Sequence, residues 1–448
     1  MKNKAYIKNS LLVILAFCSV YYSRIVATTI RFSLLNLLHF GVIPAVCVFV
    51  LTTTRIKDPK QISLCFSFVV GLLVFFGVIL ASALLNNAGL INAIASFMML
   101  GEPFIFLLAM ASIPVTDQIF TKMKNLLYWS VLINFLLAAA QKPLIDAGRI
   151  NAQGLNGTDG SGGVFFVSVA GGYVAASVSI VFAMYCFTSD STKLLWLRII
   201  VPLAALWHLL FSDSKQLVVG YAVGWVLLIL LNSKDIVKTL KLLIGFVLIV
   251  FAGVWAATNL EEFKAFTAWA RPELYGSDGL AWYTKFYSIR LILDHFQSPL
   301  NWLLGIGPGH SVSRLGGWFI RDYAAILGPL GSTATNIGQD TALFSQGNWL
   351  TSGSTFFSPF WGWIGIWGDI GILGLVAYLY LAYLTWKHFC WNDILRVTIL
   401  NVFALGFIFT QMEEPGYMVF IAFIMGLSWH EQRLKEQMQE TTTHLESV

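Results

Sequence analysis

Charge is what this chain has least of: 11% of its 448 residues are Asp, Glu, Lys or Arg, against 57% that are hydrophobic. A water-soluble globule of that composition has too little polar surface to cover itself, so the solvent is lipid. Cysteine is scarce too. Cys18, Cys47, Cys65, Cys186 and Cys390 are scattered through or beside apolar stretches with no C-x-x-C, which argues against a disulfide framework or a zinc site. HExxH and GxxxxGK[ST] are missing, which excludes a zincin and a P-loop, and no compact His/Cys/carboxylate cluster implies a metal. No A-x-A site follows the first apolar stretch, and Phe17 is too large for the position before a lipoprotein cysteine at Cys18. That stretch is expected to be retained. Lys and Arg number 28 against 23 Asp and Glu, but no run of them resembles a nucleic-acid patch, so nucleic acid is not an expected partner.

Apolar stretches are what the chain has in abundance. A span needs about 20 apolar residues. Candidates are Leu11–Tyr22, Leu34–Leu51, Ile62–Leu84, Leu90–Ile113, Leu126–Ala140, Val164–Phe187, Leu194–Phe211, Leu217–Leu231, Leu242–Ala257, Ile370–Trp386, Ile394–Phe409 and Tyr417–Trp429. The expected fold is therefore all-α: a transmembrane helix bundle of about 12 spans (range 10–13) with one large, partly helical extracytoplasmic loop. Nine spans lie within residues 1–258, the loop covers 259–359, three spans fill 360–430, and a cytoplasmic tail covers 431–448. Orientation follows the cations. Lys2, Lys4 and Lys8, then Arg55, Lys57 and Lys60, and further groups at Lys122, Lys193, Lys234, Lys387 and Arg433 fall on one side. Both termini are then cytoplasmic.

The loop carries Lys285, Arg290, Asp294, His295, His310, Arg314, Arg321, Asp322 and Asp340 among tryptophans at 269, 282, 302, 318 and 349, with two more just beyond it at 361 and 363. It is too rich in Trp and charge for a linker. Tyr283–Phe296 reads as amphipathic helix, because Phe286, Ile289, Leu293 and Phe296 recur at helical spacing, whereas Gly331–Gly353 reads as irregular polar loop. Tryptophans and tyrosines here suit the C–H faces of sugars as well as the membrane interface. Between them, Gly305-Ile306-Gly307-Pro308-Gly309-His310 makes a tight turn whose N–H groups are expected to hold an anionic oxygen. Such turns are also common as plain structure.

Glu102 lies inside the fourth stretch, in Gly101-Glu102-Pro103. A carboxylate there costs roughly 2.5–3.5 kcal/mol on insertion scales, so it needs a partner, a proton or water. A transporter reading makes it an ion site, but no second Gly/Pro-broken span matches it.

The order of these features resembles the O-antigen polymerase and O-antigen ligase superfamily. A cation-bearing helix, Lys285 to Arg290, precedes Ser298-Pro299 and the glycine turn. Later, Gly368-Asp369-Ile370-Gly371-Ile372-Leu373-Gly374-Leu375 opens a span, similar to that family's glycine-rich entry motif. Phe211-Ser212-Asp213-Ser214-Lys215 is similar to its Ser-Arg pair, with Lys215 as the cation. Ligases of the family carry a His-Asn pair ahead of the entry motif, where this chain has Phe360 and Trp361.

The resemblance implies a bacterial inner-membrane glycosyltransferase that polymerises undecaprenyl-diphosphate-linked oligosaccharide into a surface polysaccharide, without cofactor or metal. One alternative is a ligase moving glycan from the same donor to a lipid-A core or a protein, and another, of a different class, is a transporter of lipid-linked sugar. Expected partners are that lipid-linked oligosaccharide, membrane lipid, and flippase and chain-length regulator proteins. Arg290 and Arg321 are the expected catalytic cations and His310 the expected base, with Lys215, Lys285, Gly305, Gly307 and Gly309 at the diphosphate.

Overall fold

The computed structural model describes residues 8–446 except 31, 57, 151–160, 167–170, 189–195, 215, 233, 235, 262–271 and 277–278. The described residues form helices and no strands. Each of the twelve apolar stretches has most of its described residues on a helix: α1 (Asn9–Tyr21), α2 (Leu38–Thr53), α3 (Pro59–Leu85), α4 (Leu90–Ser112), α5 (Asp117–Asp146), α6 (Gly171–Thr188), α7 (Leu197–Phe211), α8 (Gln216–Leu231), α9 (Ile236–Asn259), α10 (Gly362–Phe389), α11 (Asp393–Leu405) and α12 (Pro415–Glu446). Five helical segments are long and apolar enough to cross a membrane: Leu34–Thr53, Pro59–Leu85, Leu90–Ser112, Asp117–Asp146 and Thr355–Phe389. Five further apolar helices, including Asn9–Tyr21 and Gln216–Leu231, are shorter.

Local chemistry sets several of the ends. Pro59 opens α3 at a position where its missing N–H costs nothing, and Asp58 caps that helix by accepting from the Lys60 N–H at 2.9 Å. Asn392 caps α11 in the same way through the Leu395 N–H at 2.9 Å. At the centre stands α4, in which every residue from Met98 to Ser112 is buried. A helix apolar on all faces is stable only when other helices surround it, and α4 packs on α2, α3 and α12. Aromatic rings fill the joint between α1 and α12, with Phe17 4.5 Å from Phe423 and Tyr21 5.9 Å from Phe420.

The described residues of 272–359 form a chain of short helices instead of a coil. The amphipathic stretch is helical but broken at Phe286 into Leu280–Lys285 and Tyr287–Asp294. Gly331–Gly353, expected to be irregular, contains helices Ile337–Gly347 and Trp349–Gly353. Its polar residues misled because Thr341 and Ser345 are buried against protein, where tertiary packing outweighs weak local propensity.

One break in a long helix organises the rest. Gly371 sits inside α10 at φ +67°, and a Cβ there would come within 2.3 Å of the Leu303 backbone. Only glycine permits both the backbone turn and the close approach. The first half of α10 consequently ends inside protein with free carbonyls, directly against the loop.

Candidate functional site

The glycine turn closes on this break. Gly305, Gly307 and Gly309 have φ of +71°, +109° and +77°. Ile306 N–H donates to the Gly368 carbonyl at 2.8 Å and Gly307 N–H to the Asp369 carbonyl at 3.0 Å, so the turn satisfies carbonyls that the Gly371 break released. The turn also holds an anion, and that anion is internal. The buried Asp369 carboxylate accepts from Gly309 N–H (2.8 Å), Ser311 N–H (2.8 Å) and the Ser313 hydroxyl (2.6 Å). The two segments that carry the family resemblance therefore pack on each other through one aspartate.

His310 is part of the same construction. Its Nδ1 lies 2.9 Å from the Ile306 carbonyl and its Nε2 2.8 Å from the Thr333 hydroxyl. Nδ1 donates to that carbonyl and Nε2 is paired with the hydroxyl, so neither ring nitrogen is left free for a substrate.

Beyond Ser313 the chain enters a different environment. Arg314 precedes the π-helical turn Leu315–Phe319, a distortion that re-aims side chains and recurs at functional sites. Its Nη1 bonds Glu414, and Arg24, from the short helix Ser23–Ile30 after α1, bonds the other Glu414 oxygen through Nη2. Arg314 N–H also donates to Glu413 at 2.6 Å. Three connections thus converge: α1 to α2, the 259–359 loop, and α11 to α12.

Burial pulls the Arg24 guanidinium down to about 10 and that of Arg314, with Arg24 adding to the effect, down to about 9. Both remain charged at neutral pH. Glu413 is pushed up to about 8 by burial, against the Arg314 N–H that favours its ionised form, and is mainly neutral at pH 7. Two guanidiniums therefore share one carboxylate, Glu414. The Nε of Arg314 and one oxygen of Glu413 are buried without a partner among the described residues. A buried donor left unmade costs about 1–3 kcal/mol, and such groups call for an explanation such as a bound ligand.

The two arginines border a polar cavity of about 100 Å³, whose lining also includes Asn36, His39, Asp322 and Tyr323, with Trp318 and Phe319 as its apolar wall. Below lies the partner that Glu102 needed. His39 Nδ1 is 2.7 Å from Glu102 Oε1, both residues being buried. With Nδ1 engaged by the carboxylate, Nε2 is the ring nitrogen left to meet a substrate, on a residue that lines the cavity. A carboxylate that fixes a histidine's tautomer and orientation in this way is the usual support for a general base.

No protein-family model and no curated protein matches this sequence. The site therefore rests on its own chemistry.

Of the other residues expected to act, Lys285 is held elsewhere. Its Nζ donates to the carbonyls of Phe356 (3.1 Å), Ser358 (3.0 Å) and Ile408 (2.7 Å) and lies 5.7 Å from the Trp361 ring centroid. Burial pulls it down to about 7, but three carbonyls require three donors, which only the ammonium form supplies. It staples the loop to the end of α11. Arg290 is exposed; Arg321 is exposed and bonds the Gly317 carbonyl at 3.3 Å, while its neighbour Asp322 reaches the cavity rim. Lys215 lies outside the described residues.

The sequence did carry a signal for the residues it failed to single out. Glu413-Glu414-Pro415-Gly416 puts two acids in a tight connection between apolar stretches, and Arg24 ends another such stretch. Charges confined to short connections between spans need each other.

Proposed function

We propose that this chain is a membrane glycosyltransferase that joins oligosaccharide repeats carried on undecaprenyl diphosphate. It has twelve spans, both termini in the cytoplasm, and the 259–359 loop on the outer face of the inner membrane. The observation that carries this reading is the pair of buried arginines, Arg24 and Arg314, sharing Glu414 at a polar cavity. A diphosphate leaving group needs fixed cations, and guanidinium forks match its oxygens.

The electrophilic role accordingly goes to Arg24 and Arg314, and the base role to His39, in place of Arg290, Arg321 and His310. In the reaction, the acceptor hydroxyl oxygen forms a bond to the donor's anomeric carbon as its proton passes to His39 Nε2. The bond from that carbon to the diphosphate oxygen breaks, and its electron pair leaves with the diphosphate, which the two arginines neutralise. Glu102 acts as a positioning residue for His39. An apolar groove of about 530 Å³, lined by Val223, Trp282, Phe286, Trp361 and Phe407, suits the isoprenoid chain. It is close to the cavity, because Trp318 of the cavity wall packs 5.8 Å from Phe360, which precedes Trp361.

The test uses the purified chain in nanodiscs with an undecaprenyl-diphosphate-linked repeat and reads the ladder of product lengths. Arg24→Lys and Arg314→Lys retain charge but lose the fork, and each is expected to slow transfer about ten- to hundredfold, the kinetic equivalent of one charge-assisted contact. Absence of any ladder from the unmodified chain, or unchanged turnover in both variants, overturns the reading.

A further inference from the structure

A second polar cavity lies at the other end of the bundle. The arginine cavity takes His39 from the start of α2, whereas this one begins at Thr54 and Arg55, just past its end, and 16 helical residues separate them by about 24 Å. It measures about 400 Å³ and lies between the end of α2, the start of α3, the end of α4 and the middle of α12. Arg55, Asp58, Gln61, Ser112, His430 and Arg433 supply its polar lining.

Its two arginines are held differently. Arg433 is fixed, since Nη2 donates to Asp58 at 2.8 Å and the guanidinium lies 4.6 Å from the Trp429 ring centroid. Arg55 is exposed and has no hydrogen-bond or ion-pair partner among the described residues. Gln61 and His430 are already committed to the carbonyls of Ala111 and Met110 at the end of α4. Two guanidiniums therefore face one carboxylate, a surplus of one positive charge. One cation is pre-set and one is free to close on a ligand, as binding of a single negative charge requires.

The surroundings select among anions. On the flanking turns of α2 and α3, Val48, Phe49, Ile62 and Phe66 are exposed by 48–68%. Side chains this apolar on helices of spanning length face acyl chains, so the cavity sits at headgroup level beside lipid tails. We infer that Arg55 and Arg433 form a binding site for the phosphodiester of a membrane phospholipid whose headgroup carries a net single negative charge, with its acyl chains lying along α2 and α3. The lipid joins the α2–α3 connection to the start of the tail segment of α12, two elements that Asp58 and Arg433 otherwise link through one ion pair.

The experiment uses the full chain, purified in detergent and exchanged with phosphatidylglycerol or phosphatidylcholine, with retained lipid counted by native mass spectrometry. Phosphatidylglycerol is expected to be retained in preference to phosphatidylcholine. Arg55→Ala, which leaves the Asp58–Arg433 pair intact, is expected to weaken retention about tenfold or more, and Arg433→Ala further still. Arg433→Gln serves where the alanine variant does not fold. Equal retention of the two lipids, or unchanged retention in Arg55→Ala, overturns the site. Displacement of phosphatidylglycerol by millimolar inorganic phosphate overturns the lipid assignment and leaves a site for free phosphate. None of these readings depends on glycosyl transfer.

Discussion

Two buried carboxylates a short distance apart along the fold are treated in opposite ways. Asp369 receives two backbone N–H groups and a hydroxyl from the turn beside it, a closed arrangement in which neutral donors satisfy the charge. Glu414 bridges two full cations, each arginine brought from a different connection, and the ensemble opens on a cavity with buried polar atoms still unmade. The first is the economy of a scaffold and the second that of a binding site. Unsatisfied polarity, more than polarity itself, marks where chemistry is expected.

Substitutions at the two carboxylate centres should separate fold from function. Asp369→Ala leaves three donors inside protein, at about 1–3 kcal/mol each, a large fraction of the roughly 5–15 kcal/mol that holds a typical domain together. Little folded protein is expected by fluorescence-detected size exclusion. A monodisperse Asp369→Ala protein with wild-type melting temperature breaks the contrast.

Within the arginine cavity, His39→Gln is expected to keep the fold and slow transfer by about 10²- to 10⁴-fold, the usual worth of a general base. Glu102→Gln is expected to slow it less, lowering kcat while leaving KM near its original value, because Glu102 orients the ring without touching substrate. An unchanged kcat assigns Glu102 to packing alone.

Glu413 gives a smaller and pH-dependent effect. Its carboxyl is raised from the ordinary value to about 8, so the folded state favours the protonated form. The associated stability is fully present below the unfolded value, near 4.5, and is lost as pH rises through about 8. Above that, a second carboxylate also competes for Arg314. Melting temperature is therefore expected to fall between about pH 4.5 and 8 and diphosphate affinity between about pH 7 and 9, and Glu413→Gln is expected to flatten both curves; an unchanged slope in that variant refutes the assignment.

The smallest effect is expected at Arg290→Ala and Arg321→Ala. Both side chains are exposed, and interactions at such positions are generally weak. Changes of at most a few-fold in transfer are anticipated, and a loss matching that of the Arg24 and Arg314 variants would return the electrophilic role to them.

The sequence by itself determined the membrane environment, the helical positions of its apolar stretches, and the need of Glu102 for a partner. Each of these depends on composition or on spacing along one helix, and lipid leaves little choice but helix for apolar chain. It also marked the glycine turn as a tight backbone turn, since such glycines are a local requirement. Only the tertiary structure decided what those elements do. It gave the turn's N–H groups to Asp369, closed both nitrogens of His310, tied Lys285 to three carbonyls, and brought Arg24, Arg314 and Glu414 together from positions up to 390 residues apart. A side chain's chemistry depends on which atoms already satisfy it, and for contacts between distant segments that is fixed by packing rather than by spacing along the chain.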